Sequence, residues 1–304
     1  MKNINMVQIA DPDYPEKLVE ILGDLTPKNI YYIGDISIIN KSNFIAFVGS
    51  RNMSDYGREV TQKLTYDTIT YGYGIVSGGA LGVDITAHKI ALNQKAPNIV
   101  VLAGGLNEFY PSRNSKIFEE IIDSGGVVIS EYEPEMPSLA RNFLERNRLI
   151  AALSEAVVVT EATWRSGALS TAAHANDYDI PVGAVPGSIN SPTSAGCNKI
   201  IRDMRAELIS DFSEVLCLTN GISKRLKIED EKSALFDFEC TKLIDRMSIF
   251  EQDVYTAIKR HRYRDVETIM RFSNQPIEIV MTCLGKFELD GIIKNNGRSM
   301  YKQL

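Results

Sequence analysis

From Phe44 onward, short apolar runs rich in β-branched residues alternate with longer segments whose apolar positions recur at helical spacing. The runs cover residues 44–48, 74–76, 98–102, 126–129, 156–160 and 180–185. They are nearly continuously apolar, as expected of parallel strands covered on both faces. Between them, residues 56–71, 83–93, 115–124, 146–154 and 167–177 read as crossover helices. The alternation predicts a doubly wound α/β domain. Glycine or serine follows most of the strands, and open parallel sheets bind ligands beyond the carboxyl ends of their strands. Function is therefore expected in those loops.

The flanks differ from this core. Residues 1–40 carry Pro12, Pro15 and Pro27 around one short amphipathic stretch and read as an extension packed on the main domain, residues 41–218. Residues 219–248, which include the run KRLKIEDEK, read as a linker. In residues 249–304, Val254 and Ile258, then Val266, Ile269 and Met270, predict two short helices. A third starts at Pro276 and carries Ile279, Val280, Leu284, Phe287 and Leu289. A hairpin turning at Asn296-Gly297 follows, and together these elements predict a winged helix.

With 304 residues the chain is long enough for one large domain plus appendages. Hydrophobic residues at 44% and charged residues at 24% allow a sizeable core. No stretch approaches the roughly 20 apolar residues of a membrane span, and no apolar run follows a basic start at the N-terminus. Cys197, Cys217, Cys240 and Cys283 are scattered without CxxC spacing, which argues against a disulfide framework or a zinc site and fits the cytoplasm. The net charge of −6 disfavours coating nucleic acid by bulk charge. It leaves room for a local basic groove, since the local field governs association.

Five segments carry candidate chemistry. Gly49-Ser50-Arg51 lets backbone approach a ligand, and Arg51 adds a fork suited to phosphate; a tight turn with a surface arginine is the structural alternative. Ser77-Gly78 opens a glycine-rich turn that can nest an anion. It is not a dinucleotide fingerprint, because the G-x-G-x-x-G spacing and the acidic ribose partner are missing. Asp84 and His88, one helical turn apart, are expected to cap and pair with each other rather than to catalyse. Arg141, Phe143, Arg146, Asn147 and Arg148 combine forks for phosphate with a ring on which a base can stack. The alternative is a core Phe143 with the arginines paired to Glu131, Glu145 and Glu155. Ser166-Gly167 opens a helix whose first N–H groups can face an anion, and Asn198-Lys199 follows the last strand. Nothing reads as a nucleophile elbow, a P-loop, a metal-binding carboxylate pair or a cofactor site. Binding is thus expected rather than catalysis.

Taken in order, these segments resemble the DNA-processing protein A (DprA/Smf) family. The resemblance rests on GSR (49–51), SGGALGVDITAH (77–88), LAGGLNEFYPSRN (102–114), SEY (130–132), FLERNRLIAALS (143–154), SGALSTAAHA (166–175) and VPG (185–187). It implies an extended Rossmann-like doubly wound parallel sheet followed by a small winged-helix domain. It further implies a cytoplasmic, non-enzymatic protein that binds single-stranded DNA, protects it during natural transformation and loads the recombinase RecA. By the same resemblance Gly49, Ser50 and Arg51 hold phosphate, Phe143, Arg146 and Arg148 line the strand's path, and Ser166-Gly167 completes the pocket. A homodimer is implied near residues 200–209, on a surface shared with RecA. There Met204-Arg205-Ala206 departs from the family's pattern, as does Leu144, which stands where the family has proline. Two other readings of such a fold are a nucleotide phosphoribohydrolase and a nucleotide-sensing signalling protein. Against the first, Pro186-Gly187-Ser188 stops short of a P-G-G-x-G-T motif.

Overall fold

Runs of buried, β-branched residues build one large sheet in the computed structural model, which describes residues 3–219, 248–258, 264–290, 292–295 and 300–303. The chain divides into two units, Met1–Thr219 and Asn220–Leu304. The strands of the first are β1 (Asn5–Gln8), β2 (Asn29–Gly34), β3 (Phe44–Gly49), β4 (Gly74–Ser77), β5 (Asn98–Val101), β6 (Val127–Ser130), β7 (Ala156–Glu161), β8 (Val182–Ala184) and β9 (Glu207–Leu208). Its helices are α1 (Glu16–Leu22), α2 (Ile38–Lys41), α3 (Asp55–Thr70), α4 (Val83–Asn93), α5 (Ser115–Asp123), α6 (Ala140–Ala152), α7 (Ala168–Asp177), α8 (Ala195–Arg202) and α9 (Phe212–Thr219).

The strand order is β1-β2-β6-β5-β4-β3-β7-β8-β9. From β6 to β9 all neighbours are parallel, whereas β1 pairs with β2, and β2 with β6, antiparallel. The period of two along a strand divides β3 between two cores. Phe44, Ala46 and Val48 pack with Leu149, Ile150 and Ala172 on one face. Ile45 and Phe47 pack with Leu64, Ala87 and Leu216 on the other. This is the extended Rossmann-like, doubly wound architecture. The chain leaves β3 outward through β4, β5 and β6, then returns to β7 on the other side. The carboxyl ends of β3 and β7 therefore form the topological switch point, where such sheets hold ligands.

Three features differ from the sequence-based expectation. Residues 1–40 do more than pack against the domain, because β2 extends the sheet antiparallel beside β6 and α1 lies against α6. Helix α6 begins six residues before position 146, at Ala140, and so takes in Arg141 and Phe143. Beyond the expected helices, α8 crosses from β8 to β9 and α9 follows the last strand. The linker expected over 219–248 lies outside the described residues, save Thr219 at the end of α9 and Ser248. No described helix is long and apolar enough to cross a membrane.

In the second unit, helices Ile249–Ala257, Val266–Ser273 and Ile277–Leu289 surround Val254, Ile269, Val280, Leu284 and Phe287. Strand Met300–Gln303 pairs antiparallel with both Arg264–Asp265 and Ile293–Asn295. The expected turn at Asn296-Gly297 lies outside the described residues.

Leu18 on α1 is fully buried in the same cluster as Leu149 of α6. Leu18→Ala should therefore lower stability by about 2–5 kcal/mol in a denaturant titration, as for a central core residue. A loss below about 1 kcal/mol would mean that the N-terminal segment is peripheral.

Candidate functional site

Three loops are pressed together at the switch point. The backbone N–H of Ser50 donates to the carbonyl of Glu161, at 2.7 Å, joining the loops after β3 and β7. The N–H of Val83 donates to the carbonyl of Ser50, at 3.2 Å, bringing in the start of α4. Gly82 has φ +83, and a Cβ there would stand 2.1 Å from the Ser50 carbonyl oxygen. A Cβ on Gly49 would stand 2.7 Å from the Glu161 carbonyl oxygen, so only glycine permits this approach. The buried Glu161 carboxylate accepts from the Ser54 N–H and hydroxyl, both at 2.7 Å, and so holds the N-terminus of α3. Arg51 stands exposed at the tip.

Behind this rim lies a buried cation. Arg146 is 4% exposed, and its guanidinium donates to the carbonyls of Val101 and Gly78, the latter at 3.2 Å. Asp84 is buried beside it and accepts from the Ala80 N–H at 3.3 Å. A Cβ on Gly78 would meet Arg146 Nη2 at 2.7 Å and Asp84 Oδ2 at 3.0 Å, so the two charges flank this backbone. Burial lowers the pKa of Arg146 to about 10, with Asp84 opposing the shift and Arg51 adding to it. Burial also raises that of Asp84, while Arg146 opposes it. The expected pairing of Asp84 with His88 does not form. His88 is buried and meets Asn98 Oδ1 at 2.6 Å, and burial lowers its pKa to about 4.

Phe143 is half-buried on α6, between two cations. The Arg51 guanidinium lies 5.3 Å from its ring centroid and that of Arg146 5.8 Å, distances at which the ring's quadrupole attracts a cation. Tyr110, 51% exposed, meets the same ring edge-on at 5.7 Å. Phe143 is thus neither a core residue nor a fully presented platform, and Arg51 is the exposed cation that it steadies. Arg141 is exposed in the first turn of α6.

Arg148 does not join this group. Two residues beyond Arg146 lies about 200° round a helix, so its guanidinium points away and pairs with Glu131 at 2.5 Å. Arg146 likewise presents no charge to solvent, because the strand ends consume its donors. The remaining expected residues divide by role. The Ser77 hydroxyl donates to the Phe47 carbonyl at 2.6 Å, and the Asn147 amide donates to the Gly167 carbonyl at 3.3 Å. The Ser166 hydroxyl accepts from the Ala168 N–H at 3.3 Å, at the start of α7. Asn198 grips both the N–H and the carbonyl of Gly187, at 3.1 and 2.9 Å. These four shape the loops. Lys199 instead places its ammonium 4.6 Å from the centroid of Trp164, which is 52% exposed. Tyr110 and Trp164 are absent from the sequence-based set of site residues; Tyr110 stands exposed against Phe143, and Trp164 stands exposed beside the Lys199 ammonium. Burial raises the Cys197 thiol to about 12, which makes it inert. Among the described residues, no three His, Cys, Asp or Glu side chains come together where they could share a metal ion.

Fold and site together define a doubly wound α/β protein whose switch point carries an exposed arginine on an aromatic ring, a surface suited to anions that bear rings. Comparison with known proteins narrows this class. The model of the family described as DNA recombination-mediator protein A matches residues 5–220, and the chain belongs to that family. Among curated relatives, Protein Smf of Synechocystis is 36% identical over 224 residues, 73% of this chain and 55% of that protein. DNA processing protein DprA of Streptococcus pneumoniae is 36% identical over 208 residues, 68% of this chain and 72% of that protein. The chain spans about half the length of the first curated relatives that it matches. Among solved structures, DprA from Streptococcus pneumoniae superposes with TM-score 0.65 at 36% identity, covering 71% of this chain and 74% of that one. DNA processing protein A from Helicobacter pylori, described for its single-stranded DNA binding mode, superposes with TM-score 0.63 at 30% identity, covering 73% and 99%.

Arg146→Met should cost about 3–5 kcal/mol of folding stability, because Asp84 is then buried without its cation. Adding Asp84→Asn should recover part of that loss in the same denaturant titration. Equal stability of the single variant and the parent would mean that the buried charge does not organise the strand ends.

Proposed function

We propose that this chain binds single-stranded DNA without strong sequence preference, at the switch point between β3 and β7. The observation that carries this reading is Arg51, an exposed guanidinium braced on the Phe143 ring where doubly wound sheets take ligands. Phosphate takes the arginine fork, and flexible single strands let bases reach an aromatic face. Gly49, Ser50, Gly78 and Gly167 supply backbone that shapes the rim, and Arg141 and Lys199 extend its positive field. Membership of a recombination-mediator family supports a step in which the bound strand is handed to the RecA recombinase rather than cut. In that role the protein works in the cytoplasm and protects incoming DNA during transformation.

A homodimer fits the far edge of the sheet. There β9 ends the strand order, and Met204 and Leu208 are 60% and 44% exposed. RecA would compete for the same edge. The second unit we read as a winged helix for protein contact. On its helix Ile277–Leu289, Lys286 is paired with Glu251 at 2.5 Å, and Glu278 and Glu288 oppose a DNA backbone.

Fluorescence anisotropy with labelled oligonucleotides tests the binding claim. Affinity should fall with salt, with a log–log slope of about 0.7 per phosphate contacted, and Arg51→Glu should weaken binding to all sequences alike. Equal affinity of variant and parent at moderate salt would overturn the site. With the matching RecA on strands coated by single-strand-binding protein, the parent should speed filament assembly. No acceleration by a preparation that binds DNA would defeat the mediator step.

A further inference from the structure

We infer that Trp164 is a second stacking platform for the bound strand, on the opposite side of the switch point from Phe143; this rests on the single-stranded DNA reading above. Tryptophan is the largest apolar side chain, and leaving half of one in water forgoes the stabilisation its burial would bring. Trp164 is 52% exposed at the carboxyl end of β7, with Thr163 and Arg165 exposed on either side. Its loop is nonetheless held firmly. The Gly196 N–H donates to the Ala162 carbonyl at 2.8 Å, and the Ser166 N–H donates to the Thr163 carbonyl at 3.1 Å. A Cβ on Gly196 would stand 2.5 Å from the Thr163 carbonyl oxygen, so α8 closes directly on the loop's backbone.

The charges around the indole point to the class of ligand. Lys199 holds its ammonium 4.6 Å from the ring centroid, and Arg165 is the exposed neighbour in the chain. An exposed indole with a lysine ammonium on its ring suits a base with its phosphate, whereas an apolar protein partner would leave that charge unpaired. The loop is also tied to the first platform. Glu161, three residues before Trp164, accepts from the Ser50 N–H at 2.7 Å, and Ser50 precedes Arg51. Asn147, one turn beyond Phe143 on α6, reaches the Gly167 carbonyl at 3.3 Å. A strand crossing from Phe143 and Arg51 toward β8 therefore meets Trp164 and Lys199 next.

Trp164 is the single tryptophan of the chain, so its emission reports on this contact alone. Titrating the full chain with oligothymidylate should quench that emission in step with binding followed by anisotropy of a labelled oligonucleotide. Trp164→Ala should weaken binding by about 5- to 150-fold, while Trp164→Phe, which keeps a stacking face, should stay within about threefold of the parent. Thermal unfolding of both variants should match the parent. Unchanged emission at saturating oligonucleotide, or parent-like affinity of Trp164→Ala, would overturn the assignment. Absence of any binding by anisotropy would instead overturn the single-stranded DNA reading, and this platform with it.

Discussion

Taking a guanidinium out of water is costly unless its hydrogen bonds are replaced, and the end of this sheet is organised around that requirement. Arg146 obtains its acceptors from the carbonyls of Gly78 and Val101, just past or at the last residues of β4 and β5. Asp84, at the start of α4, supplies the opposing charge. One side chain from α6 thereby couples two strand ends and a helix start, and its guanidinium lies 5.8 Å from the Phe143 ring centroid. Arg51 comes from a different loop and lies on the ring that this arrangement presents. The buried cation positions, and the exposed one meets the ligand.

That division of labour explains how an acidic chain can present a site for a polyanion. The net charge of −6 is a property of the whole surface, whereas attraction at short range follows the local field. The exposed residues Arg51, Arg141 and Arg165 lie in or beside loops at the carboxyl ends of the strands, and the half-buried Lys199 on α8 lies over the Trp164 ring. Two of the nearby acidic groups are already bonded. Glu161 is spent on Ser54 and Glu131 on Arg148.

Much of the frame was legible in the sequence because parallel strands covered on both faces read as unbroken apolar runs. The same rule hid the edge. In β2, Ile30 is buried while Tyr31 and Tyr32 are partly exposed, and the strand starts two residues after Pro27, so its antiparallel pairing left no comparable run. The sequence also showed that Arg146 and Arg148 belong with Phe143 in one segment, but not which of them faces the rim. Helical spacing contained part of that answer, since positions 143, 146 and 147 share a face that 148 leaves. The partnership of Asp84 with Arg146 joins residues 62 positions apart, and no local pattern announces it. Trp164 was visible as an unusual residue after β7, but only its exposure and the ammonium of Lys199 mark it as a surface for a ligand.

Hydrogen–deuterium exchange of the full chain, with and without saturating oligothymidylate, tests most directly whether the switch point is where the strand lies. Bound DNA should slow exchange in three segments together: residues 49–54 after β3, 78–83 after β4, and 162–168 after β7. The first turns of α6 should follow, while β1, β2 and the helices of the second unit stay unchanged. Protection confined to the second unit or to the N-terminal strands, with the three loops exchanging as in the free protein, would contradict the account.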